Sequence, residues 1–192
     1  VDALKELTVK NAAAAANTLG VTTAVETLKV NFDNSLSTGA ITLTDAKLKT
    51  LNVDASGKES NVDFDTSSTI LETLNISGNA KLTLETGSTV AAAASGVKEI
   101  NVTNTKGVVI TTALNNTTKF TGGTGADTVE IGATTKAIAM GAGDDTVKLT
   151  STQTVLGTGG SVDAGAGKDI ISMTAADAVT ISGKVDGKFN ST

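Results

Sequence analysis

Hydrophobic residues recur along the first half of the chain in the pattern apolar-x-x-apolar-x-apolar. The fourth positions of five copies are separated by 21, 23, 23 and 26 residues. The last three positions alternate between apolar and polar, which is typical of a strand with one buried face. The pattern therefore predicts one short strand per repeat. The five copies are LKELTV (4–9), VETLKV (25–30), LKTLNV (48–53), LETLNI (71–76) and VKEINV (97–102), with fourth positions Leu7, Leu28, Leu51, Leu74 and Ile100.

A second alternating segment follows most copies, at 41–43, 62–64, 82–84 and 108–110. Turn-forming Gly, Ser, Asn and Asp residues separate the two segments. The sequence thus predicts an all-β fold, a parallel β-helix with about one coil per repeat. One outward column is expected to hold Thr8, Lys29, Asn52, Asn75 and Asn101. We expect its stacked asparagines to hydrogen-bond to each other; the alternative is that they form a binding stripe.

The alternative is a leucine-rich repeat, because L-x-x-L-x-L at a period of 20–29 residues also fits that architecture. It requires a helix or loop on the convex side of every repeat. The segment NAAAAANTLG (11–20) is compatible with a helix, but later segments such as 54–69 show no apolar period of 3.6 residues. We therefore favour the β-helix.

From residue 120 a different pattern takes over, in which glycines are followed by an aspartate and then an apolar residue. It occurs three times in the same register, as GGTGADTV (122–129), MGAGDDTV (140–147) and AGAGKDII (164–171). Calcium takes six to eight oxygen ligands, more than one such turn supplies, whereas two stacked turns supply enough. Glycine permits the positive φ angles that aim carbonyl groups inward. Three turns enclose two gaps, so we predict two Ca²⁺ ions, with Asp145 serving both.

Only one edge of these coils is expected to bind ions. In the intervening half-coil IGATTKAIA (131–139), Thr134 occupies the position of the second conserved glycine and Lys136 that of the aspartate. Asp144 and Asp163 lie outside the ligand position, and we expect them to be solvated or to support the ligands. The third turn follows the second by 24 residues, and the six extra residues are expected to loop out within 151–161.

The segment 120–173 resembles the repeats-in-toxin (RTX) family of secreted bacterial proteins, whose nonapeptide is G-G-x-G-x-D-x-U-x with U apolar. The sequence GGTGADTVE at 122–130 matches every fixed position, and the other copies carry Met140 and Ala164 in place of the first glycine. The resemblance implies a β-roll that binds Ca²⁺ between successive coils. It implicates the aspartate carboxylates and the backbone carbonyls of the glycine turns as ligands, namely Gly122, Gly123, Gly125, Asp127, Gly141, Gly143, Asp145, Gly165, Gly167 and Asp169. We accordingly divide the chain into a calcium-free β-solenoid (1–119), a calcium-binding β-roll (120–173) and a degenerate terminal coil (174–192).

Composition argues against catalysis and against nucleic acid. The chain of 192 residues contains no Cys, His, Pro, Trp, Tyr or Arg, and its net charge is −5. The commonest general base and every Ser-His or Cys-His arrangement are therefore absent, and we expect no enzyme. Carboxylate pairs such as Asp63 and Asp65 are expected to be solvated charges.

An acidic chain poor in aromatic residues lacks the basic face and stacking platforms of nucleic-acid binding. No apolar run approaches the length of about 18–20 residues that spans a bilayer. The start at Val1 suggests a fragment or a processed chain.

Within that family, the Thr-, Ala- and Gly-rich, acidic composition resembles bacterial surface-layer proteins. The resemblance implies a structural subunit at the cell surface, exported by a one-step (type I) secretion machine, that folds and assembles into a homo-oligomeric lattice with Ca²⁺. Cell-surface polysaccharide or lipopolysaccharide is a further expected partner, through regions outside this chain. The alternatives are an adhesin stalk that binds host or glycan surfaces, and the calcium-folding module of a toxin with an upstream effector domain.

Overall fold

The computed structural model describes residues 3–12, 18–36, 39–92, 96–149, 156–174 and 188–190, and this part of the chain is all-β. Each strand is short, as expected for coils rich in Val, Ile and Thr. The strands are β1 (Glu6–Lys10), β2 (Leu19–Thr22), β3 (Thr27–Asp33), β4 (Ile41–Thr44), β5 (Thr50–Ala55), β6 (Ser60–Val62), β7 (Phe64–Thr66), β8 (Thr73–Gly78), β9 (Leu82–Leu84), β10 (Glu99–Val102), β11 (Val108–Leu114), β12 (Lys119–Thr121), β13 (Thr128–Ile131), β14 (Ala137–Ala139), β15 (Thr146–Leu149), β16 (Ser161–Asp163), β17 (Ile170–Ser172) and β18 (Lys188–Asn190).

The strands stack into three parallel sheets, because each coil places its strands directly above those of the preceding coil. The largest sheet has the order β1-β3-β5-β8-β10-β12-β14-β16-β18. A second sheet has the order β17-β15-β13-β11-β9-β6, and a third, β2-β4-β7, closes only the first coils. The chain is therefore a β-solenoid, and the predicted parallel β-helix is confirmed. No helix among the described residues has the length and apolar character needed to cross a membrane.

The core is a continuous file of inward side chains, one set per coil. Alternation along β5 buries Leu51 and Val53 and leaves the residues between them on the outer face. Phe32 and Phe64 are both fully buried and meet edge to face, with ring centroids 5.3 Å apart. Such aromatic pairs add about 0.5–1.5 kcal/mol to the stabilisation from burial alone.

The predicted alignment of the first repeat is wrong by two residues. Leu7 pairs with Val30 and not with Leu28, so Thr8 stacks on Asn31 and lies outside the predicted column. This register places Glu6 opposite Lys29, with 3.2 Å between Oε1 and Nζ. Because side chains alternate with a period of two, a shift of two residues keeps every apolar residue on the inner face.

The rest of the predicted outer column is confirmed in register, and its three asparagines form a hydrogen-bonded ladder below Lys29. The amide nitrogen of Asn75 donates to Oδ1 of Asn52 at 2.8 Å, and that of Asn101 donates to Oδ1 of Asn75 at 3.1 Å. The second strand predicted at 62–64 is split, since β6 ends at Val62 and β7 begins at Phe64 in a different sheet. Most of the alanine tract in 11–20, much of the loop within 151–161 and most of 174–192 lie outside the described residues.

Candidate metal centre

The three glycine turns lie on top of one another at one edge of the solenoid. Before the turns, Thr121 pairs with Ala139 and Ala139 pairs with Asp163. After the turns, Thr128 pairs with Thr146, and Thr146 pairs with Ile170. The six-residue turns 122–127, 140–145 and 164–169 are therefore equivalent in three successive coils. All the sequence-predicted site residues are thus brought together in one stack, at matching positions.

The three aspartates form a column in which each carboxylate reaches toward the preceding coil. Oδ1 of Asp127 accepts a hydrogen bond from the backbone N–H of Val108 at 2.8 Å. Oδ1 of Asp145 accepts one from the N–H of Asp127 at 2.7 Å, and Oδ1 of Asp169 accepts one from the N–H of Asp145 at 3.0 Å. We call Asp127, Asp145 and Asp169 the aspartate column. Since parallel strands lie about 4.8 Å apart, its carboxylates are held close to one another.

Burial disfavours the charged carboxylates of the aspartate column. Asp127 is fully buried, Asp145 is 1% exposed and Asp169 is partly buried. Burial raises the pKa of Asp127 to about 6, and the hydrogen bonds from Val108 and Gly123 oppose the rise only in part. Burial also raises the pKa of Asp145, and the charge of Asp169 adds to the effect. A cation between the coils would stabilise the charged carboxylates.

One carboxylate oxygen in the column has no partner. Oδ2 of Asp145 is buried and accepts no hydrogen bond from the described residues. Oδ2 of Asp127 has only a long contact, 3.4 Å, from the N–H of Gly123. A buried anionic oxygen without a partner is costly, whereas a bound cation satisfies it. The residues of the stack therefore fit a hard cation that prefers oxygen ligands.

The glycines let the backbones of successive turns approach closely. A Cβ atom on Gly143 would lie 2.6 Å from the carbonyl oxygen of Gly125, and φ at Gly143 is 132°. That oxygen therefore lies at the contact between the two turns. The neighbouring turns also hydrogen-bond directly, since the N–H of Ala142 donates to the carbonyl of Gly123 and that of Ala166 to the carbonyl of Gly141. No hydrogen bond within the described residues reaches the carbonyl oxygens of Gly125 and Gly143, which leaves them available as ligands.

The opposite edge of the same coils is built differently. Thr134 is buried, and its hydroxyl group accepts a hydrogen bond from the N–H of Lys136 at 3.2 Å. The same hydroxyl lies 3.4 Å from the carbonyl oxygen of Asn116, to which it donates. The segment 132–136 contains no carboxylate, and Lys136 is exposed. A threonine hydroxyl thus holds this turn, where an aspartate holds the turns of the other edge.

The other aspartates singled out from the sequence take lesser roles. Asp144 and Asp163 are exposed, and their Oδ1 atoms accept backbone hydrogen bonds from Lys168 at 2.9 Å and Gly165 at 3.1 Å. The expectation that Asp63 and Asp65 are solvated charges is wrong. Both are partly buried, and Oδ1 of Asp65 accepts hydrogen bonds from the N–H and the hydroxyl of Thr89.

Sequence reasoning missed Asn104, which closes the turn directly above the aspartate column. Asn104 is fully buried, and its Oδ1 accepts hydrogen bonds from the N–H groups of Lys106 and Gly107. Its amide nitrogen donates to the carbonyl of Ala80 at 2.8 Å. A neutral amide thus satisfies this turn without an ion. The available signal was an asparagine three residues before a glycine, in the turn preceding β11.

Among the described residues, no group of three or more carboxylates is arranged so that it could hold a metal ion. The carboxylates form a column, so any ion between two coils would be held by one or two carboxylates together with backbone carbonyls. Carboxylate and carbonyl oxygens are the ligands that Ca²⁺ prefers. The chain matches no known protein-family model and no curated protein.

Proposed function

We propose that this chain is a structural, calcium-dependent solenoid, and that it serves as a subunit of a bacterial surface layer. The observation that carries the calcium assignment is the buried aspartate column, with the unpartnered Oδ2 of Asp145 in its middle. Mg²⁺ fits less well, because it demands near-ideal octahedral geometry and keeps several water ligands. The column offers stacked carbonyls and carboxylates in a close contact between coils, with Asp127 and Asp145 buried.

In this proposal, calcium links successive coils, and the calcium concentration outside the cell controls their stability. Where calcium is scarce, the three closely spaced carboxylates of the aspartate column repel each other and disfavour coils 120–173. Outside the cell, millimolar calcium matches the affinities of extracellular calcium modules, about 10⁻⁴–10⁻³ M. Binding to the folded coils alone then adds to their folding free energy. Coils 120–173 would thus remain loosely folded during export and become rigid afterwards.

The surface-layer role rests on the architecture and the composition together. The glycine turns continue the same stack of strands as the first 119 residues, so calcium would rigidify one end of a continuous rod. The sequence supplies no His or Cys for catalysis. A rod of this kind suits either a lattice subunit or an adhesin stalk. We favour the lattice because the composition resembles that of surface-layer proteins.

The proposal is tested with the full chain, stripped with EDTA and then titrated with CaCl₂ or, as a control, MgCl₂. We expect bound calcium close to two ions per chain, a rise in melting temperature with calcium only, and slower amide exchange in 122–171. Electron microscopy should then show sheets or ordered oligomers with calcium. An absence of bound calcium would overturn the calcium assignment. A calcium-loaded chain that stays monomeric and binds a glycan array would overturn the lattice in favour of the stalk.

A further inference from the structure

A second feature of the calcium-bearing edge is a groove over the calcium-free coils. It has a volume of about 480 Å³, in the range of ligand sites. It follows the solenoid axis, because its residues come from the turns that leave the nine-stranded sheet in four successive coils, after β3, β5, β8 and β10. We call it the lysine groove. It is lined by Asn34, Leu36, Lys58, Glu59, Lys81 and Lys106.

The three groove lysines differ from the lysines that pair with acids. The described residues contain four ion pairs, and each joins a lysine to a carboxylate at an equivalent or adjacent position of the neighbouring coil: Lys10–Asp33, Lys29–Glu6, Lys49–Glu26 and Lys98–Glu72. None of these pairs includes Lys58, Lys81 or Lys106, and all three are exposed.

The acids near the groove neutralise it only in part. Among the described residues that line it, Glu59 is the only carboxylate, against three ammonium groups. The charge of Asp33 also acts on Lys58, but its main partner is Lys10, whose Nζ is 2.8 Å from Oδ2, and its Oδ1 accepts a hydrogen bond from the backbone N–H of Lys58. In a chain of net charge −5, this concentration of positive charge creates a local field that attracts anions.

The spacing of the lysines indicates the shape of the anion. They come from three successive coils, and coils repeat about every 4.8 Å along the axis. A linear polymer with regularly spaced charges meets such a row at several points. Lysine acts as a mobile point charge toward carboxylate or phosphate. Leu36 is 43% exposed at one end of the groove and offers an aliphatic surface for the C–H face of a sugar ring.

Nucleic acid fits this groove poorly. Single strands are held by aromatic side chains on which bases stack. Phe32, Phe64 and Phe120 are fully buried, and no aromatic residue is among the described residues that line the groove. A saccharide needs charge and an aliphatic face but no such platform.

We propose that the lysine groove binds a linear acidic polysaccharide, one that carries carboxylate or phosphate groups along its length. The binding does not require calcium, because the groove lies on coils that precede the aspartate column. The proposal is therefore independent of the calcium function. The same chemistry is offered by a free acidic polysaccharide and by the sugar chain of a membrane-bound lipopolysaccharide.

The test measures binding of polygalacturonate to the full chain in EDTA, which also removes the calcium that this polymer binds by itself. Neutral dextran is the uncharged control. The groove variant carries Lys58→Ala, Lys81→Ala and Lys106→Ala. A matched variant carries Lys5→Ala, Lys47→Ala and Lys148→Ala, which removes the same charge from exposed lysines that neither line the groove nor form one of the four ion pairs. Equal melting temperatures establish that each variant is folded, and the single variant Lys81→Glu serves if the triple variant unfolds.

We expect the wild type and the matched variant to bind polygalacturonate with similar affinity, and the groove variant to bind about ten-fold more weakly. Binding should weaken as salt rises, and dextran should not bind. Equal losses in both triple variants would show non-specific attraction and overturn the proposal, as would an absence of wild-type binding.

Vesicles with and without lipopolysaccharide then distinguish the two sources. If the groove variant loses self-association but keeps polygalacturonate binding, the groove is an interface between copies and the proposal fails. Asp145→Asn should bind like the wild type, so failure of the calcium function leaves this test intact.

Discussion

Replacing Asp145 by Asn separates a calcium ligand from a structural hydrogen-bond acceptor. The side-chain oxygen of Asn can still accept the hydrogen bond that the N–H of Asp127 donates at 2.7 Å. What disappears is the charge and the unpartnered Oδ2. If the carboxylate only capped the turn, the variant would be as stable as the wild type with and without calcium.

The calcium assignment predicts opposite effects in the two media. Without calcium, the variant should be at least as stable as the wild type, because a buried charge whose pKa is raised by burial has been removed. With about 10 mM calcium, each ion at a dissociation constant of about 10⁻⁴–10⁻³ M adds about 1.4–2.7 kcal/mol to the free energy of unfolding. Asp145 lies between the other two turns and would contribute to both ions. Its loss should therefore remove about 3–5 kcal/mol of this stabilisation, twice the loss for Asp127→Asn.

The assay is urea unfolding followed by circular dichroism, for both variants and the wild type, in EDTA and in calcium. Calorimetric titration gives the number of ions in parallel. Equal losses for Asp145→Asn and Asp127→Asn would refute the shared middle turn. A loss of the same size in EDTA would refute the role of Asp145 as a ligand, because the effect would then come from packing alone.

Three further changes test the site and the fold. In EDTA, Asp127 has a folded pKa of about 6 against 3.8 unfolded, so the folded state binds more protons between these values. Stability should fall as pH rises from about 4 to 6 by up to about 3 kcal/mol relative to Asp127→Asn, as measured by urea unfolding, and a flat difference would contradict the burial argument. Gly165→Ala should cost about 1–3 kcal/mol or more, because φ is +81° and the new Cβ would collide with a carbonyl of the turn above, whereas Gly20→Ala, with open space around it, should change the melting temperature little. Asn75→Asp cannot donate within the asparagine ladder and should cost about 1 kcal/mol at pH 7, with partial recovery near pH 4 where the new carboxyl group is protonated; equal losses at both pH values would count against the ladder.

The sequence predicted those features that depend only on a period. Alternation at a period of two identified inward residues such as Leu51 and Val53. The spacing of Gly and Asp, which is the same within each of the three copies, placed the three turns in register. It did not predict the register of Leu7 on Val30, because a shift of two residues leaves the apolar pattern unchanged and only contacts such as Glu6 with Lys29 decide between the two.

The details of the candidate site were beyond the sequence for a different reason. That each carboxylate bonds to the coil before it, and leaves Oδ2 of Asp145 unpartnered, depends on side-chain direction, which spacing does not encode. Asn104 was missed because it belongs to no repeated motif in a chain rich in asparagine, and because its role arises from its burial. The lysine groove was missed because Lys58, Lys81 and Lys106 occupy turns of different lengths and follow no fixed period.

The junction between the two repeat types would allow the proposed calcium-dependent stack to follow directly on coils that need no ion. The Asp127 carboxylate accepts a hydrogen bond from the backbone N–H of Val108, just as the Asp145 carboxylate accepts one from the N–H of Asp127. The turn that precedes Val108, however, contains no carboxylate. That coil is held by Asn104, whose amide group satisfies two donors and two acceptors without an ion. The first glycine turn therefore docks on a surface that is already ordered. If calcium binds as we propose, it would only have to stabilise added coils, because extending an ordered stack avoids the entropy of starting a new one. The first coils would then act as the template on which the aspartate column assembles.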